Sequence, residues 1–159
     1  MSDTPVTDAR DPAEVVTGMV HKVLELARTW TRWDGEPRVV DDRVYSPHKA
    51  IRRVTDHLID HLAQIEALIA GVPTIPDHWH ASAITTPADL APFTSEDLDE
   101  ANSRLTRLAQ VFTIRLQQLS DAELDARQDG AWSVRQIAFH LDESLYYAEA
   151  VGSLAGPLP

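Results

Sequence analysis

Apolar residues return at every third or fourth position along four stretches of this chain, a period that commits it to helices. The first stripe runs through Val16, Met19, Val20, Val23, Leu26, Ala27, Trp30 and Trp33. Asp11, Pro12 and Glu14 supply its N-cap, first-turn proline and capping acid, and Asp34-Gly35 ends it. After a polar connector over 34–44, Ser46-Pro47 starts a second helix that runs to about Ala70, where Gly71 and Pro73 stop it. Phe93, Thr94 and Asp97 form the next start, followed by Leu98, Ala101, Leu105, Leu108, Phe112, Leu116 and Leu119 on one face. Ser120 and Glu123 box a short helical turn, and Asp129-Gly130 breaks the chain before Trp132. A last helix opens at Ser133, with Gln136 as its boxing partner, and reaches Val151 or Gly152. No alternating pattern is long enough for a strand.

These elements predict an all-α domain over 11–159 behind a disordered, polar N-terminus at 1–10. The connections run short, long, short. They suit a four-helix bundle of two antiparallel hairpins joined by one crossover, residues 72–94, which holds four of the chain's ten prolines. A length of 159 residues with 43% apolar content is enough for one core and therefore one site.

A formal charge of −11 repels phosphate backbones and anionic lipid surfaces, so neither nucleic acid nor membrane is expected as a partner. No stretch approaches the roughly 18 apolar residues of a membrane span, and the first ten residues do not read as a secretory signal. A cytoplasmic protein is the expectation. With no cysteine, any metal must sit on His, Asp or Glu.

His57 and His61 stand four residues apart on the apolar side of the second helix, beside Val54, Leu58, Ile65 and Leu68. His140 shares the inward stripe of Ile137, Leu141, Ser144, Ala148 and Val151. Each buried imidazole has a donor and an acceptor to satisfy, and one shared divalent metal would satisfy three of them. The plainer alternative is three core histidines bonded to carbonyls or water. His21 and His48 read as solvated residues near helix ends, and His78 and His80, flanking Trp79 in the crossover, as loop polar residues unless the crossover closes over the site. Trp132 reads chiefly as packing over the end of the bundle.

Two segments, SPHKAIRRVTDHLIDHLAQIEAL (46–68) and DGAWSVRQIAFHLDESLYYAEAV (129–151), carry a more specific pattern. Arg52, Arg53, His57 and His61 on one helix, with Trp132, Ser133, Arg135 and His140 on another, resemble the DinB-like superfamily of metal-binding four-helix bundles, which includes YfiT-like and mycothiol-dependent enzymes. The order of the two motifs is permuted here. The resemblance covers about two thirds of the chain, and it implies an open site on His57, His61 and His140 that leaves coordination positions for water or substrate. Zinc is the first choice, with nickel and ferrous iron as alternatives. Asp56, Asp60 and Glu143 are candidates to orient the imidazoles.

The activity implied is metal-dependent S-transfer or isomerisation of a small-molecule substrate, with a low-molecular-weight thiol as cosubstrate. Trp79 and Trp132 would then contact a ligand, and His78 or His80 would move a proton. The competing reading is a non-catalytic bundle that binds metal or ligand, and a homodimer is compatible with either.

Overall fold

The computed structural model describes residues 8–128 and 130–156. Helix α1 spans Pro12–Ala27 and α2 spans Pro47–Ala70, with a hairpin of β1 (Arg38–Val40) and β2 (Arg43–Tyr45) between them. Then come α3 (Ser95–Gln117), α4 (Asp121–Asp125), α5 (Val134–His140) and α6 (Leu145–Val151). The chain is thus mostly helical. The capping chemistry explains where these helices begin. Asp11 accepts from Ala13 N–H and Ser46 from Lys49 N–H, while Thr94/Asp97, Ser120/Glu123 and Ser133/Gln136 form reciprocal boxes. Gly71 ends α2 in the left-handed conformation at φ 67°.

Three features differ from the sequence expectation. A strand pair exists where none was expected: β1 and β2 are antiparallel, with Val40 opposite Arg43 across a two-residue turn. Asp41 and Asp42 take φ of 49° and 61°, the left-handed pair that a tight hairpin turn requires and that aspartate tolerates. Three residues per strand are too few to show an alternating pattern. The first helix stops at Ala27 rather than continuing to Trp33. Thr29 Oγ1 donates to Leu26 O and accepts from Leu154 N–H, and a separate 3₁₀ turn, Trp30–Arg32, buries Trp30, whose Nε1 donates to Gly152 O. The last helix tightens into 3₁₀ geometry at Leu141–Ser144, between α5 and α6.

The expected pairing of α1 with α2 as a hairpin is also not how they pack. Both lie against α3, α5 and α6 and share little direct contact, because residues 28–46 form a connector long enough to separate them. One apolar cluster joins these elements, with Val16, Met19, Val23, Leu58, Ile65, Leu105, Phe112, Ile137 and Leu141 fully buried within it. The expected disorder at 1–10 falls mostly outside the described residues. Arg10 is described, and its guanidinium lies 5.5 Å over the Phe139 ring. Asp129 also lies outside them. No described helix is long and apolar enough to cross a membrane.

Polar bonds from α2 hold the second half of the crossover. Lys49 has no exposed surface and sends Nζ to Ser82 O and Thr85 Oγ1 at 3.2 and 3.0 Å, and burial lowers its pKa. Ser46 Oγ donates to Asp89 O, and Arg52 grips the Asp89 carboxylate through Nε at 3.0 Å and through Nη2. Burial alone would push the Asp89 carboxyl up, but the Arg52 hydrogen bond and the Thr86 N–H bring it below the ordinary carboxylate value. Residues 71–80, by contrast, are exposed throughout.

Replacing Arg52 with Ala should strand the buried Asp89 carboxylate and destabilise the fold by about 1.5–3 kcal/mol, the usual range for a lost charged hydrogen bond. Because the native Asp89 pKa is depressed, its contribution is present above the ordinary carboxylate pKa and fades as pH falls through the native value. Urea melts across acid pH should show the wild type losing more stability than the variant over that window.

Candidate metal centre

One face of α2 and one tightened turn near the C-terminus build the site. His57 and His61 are one helical turn apart, and His140 ends α5 immediately before the 3₁₀ turn. Their Nε2 atoms converge, with His57 Nε2 lying 3.1 Å from that of His140 and 3.0 Å from that of His61. A ligand atom from each of the three lies within 4.8 Å of the others, so the group can hold a metal ion. Two imidazole nitrogens bound to one cation at about 2.1 Å are separated by roughly 3.0–3.4 Å in octahedral to tetrahedral geometry, which the two short separations match.

The outer partners explain why Nε2 is the atom that points inward. Each Nδ1 faces away to an oxygen: His57 to Ser144 Oγ at 2.6 Å, His61 to Gln64 Oε1 at 2.8 Å, and His140 to Glu143 Oε2 at 3.2 Å. The Gln64 carbonyl only accepts, so His61 Nδ1–H donates to it and His61 Nε2 carries a bare lone pair, and the Glu143 carboxylate beside His140 Nδ1 favours the same tautomer there. His57 has one proton for two ring nitrogens. Placed on Nδ1 it leaves three lone pairs facing one another, and placed on Nε2 it serves one of two neighbours. A cation at the centre removes this conflict.

Burial and neighbouring charge favour the neutral form of His57 and His140. Burial, then the neighbouring His61 and His140 and the Arg53 guanidinium, lower the His57 pKa to about 3. The His140 pKa is lowered too, by burial and by His61, with Glu143 opposing. Metal binding requires neutral imidazole, so at these two rings the fold works against the competing proton.

Of the three carboxylates considered from sequence, Glu143 does orient an imidazole. Asp60 stands elsewhere, with Oδ2 3.8 Å from the inward Nε2 of His61, on the open side of the centre, and burial raises its pKa. Asp56 instead faces Arg53 at 4.0 Å and lines a separate cavity on the other side of α2. Gln64 and Ser144 were not singled out for this role. A carbonyl acceptor three residues after His61 and a serine four after His140 were the available signals.

The histidines open into a pocket of about 780 Å³, within the range of small-molecule sites. Trp132 packs against the core, as expected, and also lines this pocket. Its ring centroid lies 4.7 Å from that of His140, and it stacks with His61 at 6.5 Å. Tyr147, Arg53 and Arg43 form another wall. From the crossover it is Asp77 that lines the pocket, whereas His78, Trp79 and His80 are exposed and do not. His21 is exposed on the body of α1, but His48 is partly buried, against Pro92 O at 3.1 Å and Asp97 at 3.4 Å. Comparison with known proteins found no matching family model, no matching curated protein and no matching solved structure.

Two outcomes follow. Gln64→Leu should weaken zinc binding about 10- to 100-fold, the usual effect of losing a partner behind a metal-binding histidine, with the helical spectrum unchanged; competition with a chromogenic chelator reads this. In metal-free protein, unfolded imidazoles take up protons near 6.5 while folded His57 resists down to about 3. Stability should therefore rise with pH across that window, and His57→Gln should flatten the rise in denaturant melts.

Proposed function

We propose that this chain is a DinB-like four-helix bundle, with α1 and α2 at opposite corners, that uses a divalent metal on His57, His61 and His140 to act on a small molecule. What carries the reading is the convergence of three Nε2 atoms, each backed by an oxygen on its Nδ1. Zinc suits an all-imidazole set first, with nickel and ferrous iron as alternatives. A cation there supplies charge that favours the deprotonated form of a bound oxygen or sulfur.

The remaining work belongs to the chain. Glu143, Gln64 and Ser144 fix the imidazole planes, and the Trp132 ring covers one side and excludes water from it. Asp60 stands on the open side with a carboxyl that burial makes more basic than usual, which suits it to accept a proton from an incoming group. The absence of cysteine means a reacting thiol would come from a cosubstrate, as the resemblance to mycothiol-dependent enzymes implies.

The test measures metal content of the purified protein, then melting and turnover of electrophilic substrates with a panel of low-molecular-weight thiols. Near-stoichiometric metal, a thiol-dependent rise in melting temperature and turnover abolished by His61→Ala are expected. Thiol-independent melting and no turnover of metal-loaded protein would transfer the proposal to a non-catalytic metal-binding bundle.

A further inference from the structure

Beside the three histidines sits a positive charge that no carboxylate among the described residues meets at hydrogen-bond distance. Arg53 precedes His57 by one turn, so that Arg53, His57 and His61 form a ladder on one face of α2. Its residue surface is 9% exposed, and of the guanidinium nitrogens only Nη2 has a hydrogen-bond partner among the described residues, the Tyr147 hydroxyl at 2.9 Å. Nε and Nη1 are buried without a hydrogen-bond partner among the described residues. The nearest carboxylate, Asp56, approaches only to 4.0 Å, beyond hydrogen-bond reach, while the Tyr147 ring lies 4.7 Å beneath the guanidinium.

A buried, under-bonded cation is costly in any protein and more so next to a site for a second cation, since like charges in a desolvated pocket repel. Arg43, on the hairpin, faces the same pocket and adds to the positive potential there. Tyr147 joins the two centres, because its ring also meets that of His57, at 6.2 Å.

We propose that Arg53 is the recognition point for a carboxylate on the pocket's small-molecule ligand. A planar carboxylate matches the guanidinium fork along either of its edges, Nε–Nη2 or Nη1–Nη2, and would give one of the two unbonded donors an acceptor once the guanidinium turns toward the pocket, since both are covered in the unliganded fold. The rim selects against a more highly charged anion, since Asp60, Asp77, Asp142, Glu143 and Glu149 surround the same opening. A monocarboxylate fits between these fields, where a phosphate dianion would meet stronger repulsion. The assignment rests on this pocket being the functional site, and it names the substrate class that the site would take.

The experiment titrates zinc-loaded and metal-free protein with benzoate, its neutral analogue benzamide, and phenyl phosphate, by calorimetry, with zinc stoichiometry measured in parallel. Benzoate should bind at least about tenfold more tightly than benzamide to the wild type, and Arg53→Met should abolish that preference without lowering zinc content. Arg53→Lys, which keeps the charge and loses the fork, should retain only part of it. Equal binding of benzoate and benzamide to the wild type, or unchanged benzoate affinity in Arg53→Met, overturns the proposal. Phenyl phosphate binding more tightly than benzoate overturns the choice of carboxylate. If Arg53→Met does not fold, Arg53→Lys decides: wild-type benzoate affinity and selectivity in that variant overturn the proposal. Failure to take up zinc counts against the metal reading alone, because the benzoate preference is also measured on the metal-free form.

Discussion

Three imidazole nitrogens, with that of His57 about 3 Å from each of the other two, have no arrangement of neutral protons that satisfies them all, and the surrounding structure holds this conflict in place. Helix α2 supplies two of the rings from one face, so their spacing is set by backbone geometry alone. The third comes from a different part of the chain, and the tightened turn after it presents Glu143 and Ser144 to rings on two different helices. A regular α-helical turn would rotate those two side chains differently around the axis.

Around this centre the pocket is assembled from pieces that each need their own support. Tyr146, on α6, donates to Asp41 of the hairpin turn at 2.7 Å and meets the Tyr45 ring edge-on, which ties the hairpin that carries Arg43 to the last helix. On the other side the crossover is bonded by Lys49 and Arg52 over residues 82–89, while its 71–80 portion runs through solvent. The two halves of the crossover therefore differ in what restrains them, and the half that reaches the pocket, through Asp77, is the less restrained.

Much of this was legible from the amino-acid sequence because it rests on local chemistry. Ser46, Thr94, Ser120 and Ser133 announce their helices through caps whose partners lie within three residues, and helical phase alone turns His57, His61 and His140 inward. What stayed hidden depends on contacts distant in sequence or on elements too short to show a period. The Arg38–Tyr45 hairpin has three residues per strand, the end of α1 is decided by a Thr29 bond to Leu154, and the separation of α1 from α2 emerges only once α3 and α6 are packed. Arg53 was visible as part of a motif, but its missing partners are a property of the folded surroundings. The position of Asp60 on the open side follows likewise from where the third ring arrives.

The histidines also join parts of the chain that are far apart: the His57 and His140 nitrogens in contact are separated by 83 residues. A cation seated between them closes that span as a reversible cross-link, removing from the unfolded chain a large part of its freedom in the way a long-loop disulfide does. In a chain without a single cysteine, the histidine centre is a place where such a staple can form and be withdrawn. Seating or withdrawing the ion would then change how firmly the C-terminal helices stay docked against α2.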